Sequence, residues 1–148
     1  MRFKKFSLLL LFLFIGIPTT FAWAGPEINV AVKTVLASQE SKFLDPRLSD
    51  LIEELQSVFR YTSYRLLSQD RLTLGIKKTG KVMLPGKRVL EITPMGIKGN
   101  RAELRLVIMR KKQQIFQTMI KLRNGGSITL GGPKHKTGYL LFNISNFF

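Results

Sequence analysis

Two glycine-bracketed segments have the residue types and spacing to handle an anion. Gly75-Ile76-Lys77-Lys78-Thr79-Gly80-Lys81-Val82 follows most of a phosphate-cradling loop, in which backbone amides and a lysine hold phosphates and a following Ser or Thr holds magnesium. Val82 stands where that hydroxyl is needed. The pattern after Gly80 also predicts a strand, not the helix whose N-terminus would face a phosphate. The segment therefore reads as a basic hairpin turn. Gly131-Gly132-Pro133-Lys134-His135-Lys136-Thr137-Gly138 gathers three glycines, a proline and three side chains able to carry positive charge. Backbone amides beside glycines, together with Lys134 and Lys136, could hold an anionic group. His135 could act as a general base, but no carboxylate or serine is committed to it. The plainer alternative is a hairpin loop with solvated charges.

Other chemistries are poorly supplied. Glu53 and Glu54 are adjacent and point about 100° apart on a helix, a poor arrangement for a paired acid and base. Glu91 and Glu103 are the only acids after Asp70, so ion pairs with the surrounding Lys and Arg are expected of them. With no cysteine and one histidine, disulfides, thiolate metal sites, cysteine nucleophiles and multi-histidine metal sites are excluded. No catalytic constellation and no cofactor motif is recognised, and the reading is non-enzymatic.

Charge is the dominant signal. The 148 residues carry 24 Lys and Arg against 9 Asp and Glu, while 45% hydrophobic content fits a folded protein. The imbalance is uneven: residues 25–70 hold 5 basic and 7 acidic side chains, and residues 71–148 hold 16 basic and 2 acidic. Such a field attracts anionic partners. Three groups at expected loops are the candidate anion- or partner-binding residues: Lys77, Lys78 and Lys81; Lys111 and Lys112; and Lys134, His135 and Lys136. Phe116, Tyr139 and Phe142 are interleaved with cations, a pattern that also suits single-stranded nucleic acid. Export makes anionic lipid headgroups, lipopolysaccharide or acidic polysaccharide the better match, and no dedicated nucleic-acid site is predicted.

Export is read from residues 1–24. Arg2, Lys4 and Lys5 precede the apolar run Phe6–Ile17, and Ala22-Trp23-Ala24 supplies a small-x-small cleavage pattern. The alternative is an uncleaved anchor to the inner membrane, although the run is short of the about 20 residues of a spanning helix. Residues 25–148 are expected to form one domain in the periplasm or cell envelope, with no later transmembrane segment.

Within that domain Ile28–Leu36 is β-branched and reads as a strand. Asp45-Pro46 starts a helix, and Leu48, Leu51, Ile52, Leu55, Val58 and Phe59 form its apolar stripe, ending near Leu67. Short strands follow at 72–74, 81–84 and 88–93, the last limited by Pro94 and Gly96. Longer strands are expected at 102–109 and 115–122, then 127–130 and 139–144. Asn124-Gly125-Gly126 is a turn. The expected fold is α+β: one amphipathic helix packed on a mostly antiparallel sheet of about six to seven strands, after an N-terminal signal peptide. A membrane barrel ending on Phe148 is disfavoured, because Asn146 interrupts the apolar face and the strands fall short of about ten residues.

Asp45-Pro46-Arg47-Leu48, the stretch Phe59–Leu67, Leu84-Pro85-Gly86-Lys87-Arg88, and Gly131-Gly132-Pro133 with Gly138-Tyr139-Leu140 resemble a group of small, exported, largely uncharacterised bacterial proteins. That likeness implies a shared fold and brings no activity. Leu90–Pro94, Ala102–Ile108 and Asn124–Gly132 are similar to sheet segments of secretin channel domains. This implies at most an accessory with a related sheet, since the chain lacks a secretin's length and hydrophobic lip. The expected function is an exported, non-enzymatic envelope protein whose basic β half binds an anionic envelope component or an envelope protein. The alternative is an accessory of a secretion or pilus-type assembly that acts by sheet-edge pairing.

Overall fold

Alternation sets the architecture. In β1 (Glu27–Ser38) Ile28, Val30 and Val32 are buried while Glu27 and Asn29 face out. Seven strands follow: β2 (Ser63–Gly75), β3 (Gly80–Leu84), β4 (Arg88–Lys98), β5 (Arg101–Arg110), β6 (Gln113–Arg123), β7 (Ser127–His135) and β8 (Gly138–Phe147), the last buried on both faces over residues 140–144. The computed structural model describes Ala22 and residues 24–148. The expected signal peptide otherwise lies outside the described residues. No helix among the described residues is long and apolar enough to cross a membrane.

The eight strands form two antiparallel four-stranded sheets, β2-β1-β8-β7 and β3-β4-β5-β6. Their apolar faces bury each other. Ile28, Val30, Val32, Leu140, Phe142 and Ile144 of the first sheet pack with Leu90, Ile92, Leu104, Leu106, Ile108 and Ile120 of the second. This overturns the expected α+β fold of one helix on a single sheet of six to seven strands. Alternation shows that each strand has a buried face but not what covers it, and here a second sheet does.

The helix is correspondingly short. Pro46–Leu48 is a single 3-10 turn capped by Asp45, and α1 spans only Ile52–Val58. Leu48, Leu51 and Leu55 do face inward, onto Val35, Ala37, Tyr64, Leu66 and Leu141 on the outer side of the first sheet. Val58, however, is 63% exposed. At Phe59 the backbone turns extended, and from Ser63 the chain pairs with β1 along its whole length. Residues 63–67, expected as helix, are therefore strand. The buried Tyr64 hydroxyl fixes the change by donating to the carbonyls of Leu55 and Phe59 at 3.1 and 2.7 Å.

Two strand boundaries also move. Pro94 and Gly96 do not end β4. A bulge between them absorbs the proline, and pairing with β5 resumes to Lys98. The segment 131–138 is not an open loop. β7 continues to His135 through a bulge between Gly131 and Lys134, leaving only Lys136-Thr137 as the turn.

Candidate functional site

The strand register places three hairpin turns at one end of the sandwich. β3 and β4 are joined by Pro85-Gly86-Lys87, and β5 and β6 by Lys111-Lys112. Arg88, the first residue of β4, lies opposite Arg110, the last of β5, so these two turns are neighbours. Arg88 then ties in the other sheet. Its side chain is buried, with Nη2 donating to the Lys134 carbonyl at 3.0 Å and Nη1 to the Pro85 carbonyl at 3.4 Å. Lys134 and His135 pair with Tyr139 and Gly138 on either side of the third turn, Lys136-Thr137.

The backbone at this end is unusual. Lys87, Lys111, Lys112 and Lys136 have φ of 56°, 48°, 63° and 51°. Side chains with a Cβ avoid this left-handed region, which Gly, Asn and Asp fill at lower cost. Two consecutive positive φ values in a two-residue hairpin loop mark the Lys111-Lys112 turn as one that ordinarily takes Asn-Gly. Gly86 is the one glycine of this end in that region, whereas at the opposite end the equivalent positions are Gly99 and Gly125, with Lys77 the single lysine. The basic end thus has lysine where glycine would be less strained.

The cations of this end lack acidic partners among the described residues, Arg88 being held by carbonyls alone. Among the described residues, Lys87, Arg88, Arg110, Lys111, Lys112, Lys134, His135 and Lys136 form no ion pair. Two acids lie nearby, one of them hydrogen-bonded to the third turn itself. Glu40 accepts a hydrogen bond from the Thr137 hydroxyl at 2.7 Å. Asp45 is chelated by Arg47 through Nε and Nη2, at 3.0 and 2.7 Å, and also accepts from the Leu66 amide. The Arg47 hydrogen bonds hold its carboxyl well below the ordinary 3.8, against the opposing effect of burial.

Of the expected site residues, Lys111, Lys112, Lys134, His135 and Lys136 come together here. Lys77 and Lys78 lie at the opposite end, in the turn that carries the chain from β2 into β3. Lys81 is on the outer face of the second sheet, 3.6 Å from Glu91. Glu103 is ion-paired with Lys121 and Lys98 at 3.3 and 3.5 Å, which lowers its pKa, chiefly through Lys121. The two glutamates thus serve separate ion pairs. Lys87, Arg88 and Arg110 were not among the expected residues. Their signal was the Pro-Gly-Lys-Arg turn and the arginine leading into Lys111-Lys112.

His135 is half-buried, and no side-chain hydrogen bond joins it to a carboxylate or hydroxyl among the described residues. No group of three or more His, Asp or Glu side chains gathers among those residues. What the end can do is present several cations without ion-pair partners at adjoining hairpin turns to a polyanionic surface. Set against family models, curated proteins and solved structures, the chain matches none.

Proposed function

We propose that the protein is exported to the cell envelope and there binds, without catalysis, an anionic surface through the basic end of the sandwich. The observation that carries the reading is the set of left-handed lysines at Lys87, Lys111, Lys112 and Lys136. Strain retained at exposed turns has no stabilising role, so the charge it presents is the feature that accounts for it. The expected helical brace does not back this end, because α1 packs on the outer face of the first sheet. Sheet-on-sheet packing and the Arg88 tether hold the turns instead.

The test is co-sedimentation of the protein, purified in the form the cell accumulates, with vesicles containing phosphatidylglycerol or only phosphatidylcholine. Raising salt from about 0.1 M to about 1 M shortens the screening length from roughly 10 to roughly 3 Å. Binding to the anionic vesicles is expected to fall steeply over that range, and further in Lys111→Glu/Lys112→Glu. Binding that ignores both salt and the charge reversals overturns the reading.

Sheet-edge pairing is the second reading, favoured by one observation. The last strand, β8, is interior to its sheet and offers no edge. β6 is an edge strand, and it exposes Ile115, Phe116 and Met119 by 46%, 41% and 49%. Ile115→Lys/Met119→Lys separates the two readings. It would abolish strand pairing and strengthen attachment to an anionic surface.

A further inference from the structure

We propose that the groove between the free edges of β6 and β7 takes one acyl chain of an anionic amphiphile whose headgroup is held by the adjoining basic end. This rests on the surface-binding reading above and names its ligand. The groove has a volume of about 220 Å³ and is lined by Ile108, Ile115, Phe116, Gly131, Gly132 and Pro133. No lining side chain is polar. β6 and β7 are the last strands of their sheets, so no further strand among the described residues closes the sandwich beyond them.

Gly131 and Gly132 present bare backbone to the groove, and Gly132 also makes room for the core ring of Phe142, which a Cβ there would overlap. Opposite them, the register shift after Ile108 leaves Ile115 without a partner in β5, bringing it and Phe116 together on the rim. An occupant would cover two large apolar side chains that otherwise face water.

Size and charge select that occupant. The volume lies below the roughly 300–1,000 Å³ of sites that enclose a drug-sized molecule, so the ligand is slim. The apolar lining runs directly into cations: Lys134 follows Pro133, and Lys111-Lys112 lie just before Ile115. None of these lysines is ion-paired among the described residues. A single hydrocarbon chain ending in phosphate complements both parts.

Titration calorimetry with the same purified protein tests this. The probes are monomeric lauroyl lysophosphatidylglycerol, lauroyl lysophosphatidylcholine and glycerol 3-phosphate. Burial of three or more methylenes, at roughly fourfold each, predicts that the lauroyl chain tightens binding about fiftyfold over glycerol 3-phosphate. The phosphocholine analogue is expected to bind at least tenfold more weakly than the phosphoglycerol one. Ile115→Ser/Phe116→Ser should lose the chain's contribution while keeping salt-sensitive vesicle binding and a wild-type unfolding temperature. If the chain adds nothing while anionic vesicles still bind, the groove proposal falls and the surface reading stands; if vesicles fail too, both fall. Equal affinity for the two headgroups also overturns the proposal. So does a dimer abolished by the double serine variant in a protein that binds no amphiphile.

Discussion

Replacing the four left-handed lysines with glycine should make the protein more stable and worse at its proposed task. A residue with a Cβ loses about 1–2 kcal/mol in the left-handed region. Glycine there avoids that loss but forfeits about 0.5–1 kcal/mol through the greater freedom of the unfolded chain. The net gain is about 0.5 kcal/mol at each of Lys87, Lys111, Lys112 and Lys136, whose φ values run from 48° to 63°. Lys111 and Lys112 share one turn, so the four do not add fully. About 1.5–2 kcal/mol in total remains, which for a domain of this size raises Tm by roughly 5–8 °C. Attachment should move the other way. Each lysine near an anionic membrane contributes about 1 kcal/mol, so losing four weakens vesicle binding by up to about a thousandfold. Thermal unfolding by circular dichroism and co-sedimentation with phosphatidylglycerol vesicles read the two effects on one sample. A quadruple variant that is less stable than the parent would refute the strain reasoning. One that binds vesicles unchanged would refute the assignment of the end.

Three further outcomes follow from the packing. Gly138→Ala should cost about 3 kcal/mol or more, because the new methyl would collide with the Ala37 carbonyl oxygen of β1; urea unfolding measures it. Tyr64→Phe removes the hydroxyl that ties Leu55 and Phe59, and should lower stability by about 1–1.5 kcal/mol while far-UV dichroism stays β-rich. Asp45→Asn bears on pH dependence. The native Asp45 carboxyl stays ionised to lower pH than in the unfolded chain, so its stabilisation is complete well above the ordinary 3.8 and drains away as pH falls below it. The variant should therefore be less stable near pH 7, closer to the parent at about pH 2, and flatter between.

Strands were readable where one side chain in two is apolar. β1, β5 and β6 fall within a few residues of where Ile28–Leu36, Ala102–Met109 and Ile115–Leu122 put them. The Asn124-Gly125-Gly126 turn is also where its residue types place it, with Gly125 at φ 75°. The stripe from Leu48 to Phe59 was a true local signal, as the burial of Leu48, Leu51 and Leu55 shows. It failed beyond Val58, because Ser63–Leu67 gain more by pairing with β1 than by continuing a helix, a long-range competition that spacing does not report. The division into two sheets was hidden for the same reason, since it depends on β8 entering between β1 and β7. For the site, exposure of the lysine turns was legible and their shared end was not, because only the register of β4 on β5 and the Arg88 contact to Lys134 bring them together. Lys111-Lys112 itself carries a local signal, since it occupies the two-residue slot that normally takes Asn-Gly.

The order of strands also sets a timetable for folding. The second sheet comes from the unbroken stretch 80–123, each strand pairing with the next, so it can assemble from local contacts as soon as that stretch is available. The first sheet cannot, because β1 must wait for β8, with Asn29 pairing Phe147 and Ala37 pairing Tyr139. Until Gly138–Phe147 arrive, β1 has only β2 beside it and β7 has no partner at all. A polypeptide threaded across a membrane from its N-terminal side would hold its first strand unfinished through most of the passage, and would close on the far side only when its final hairpin emerged.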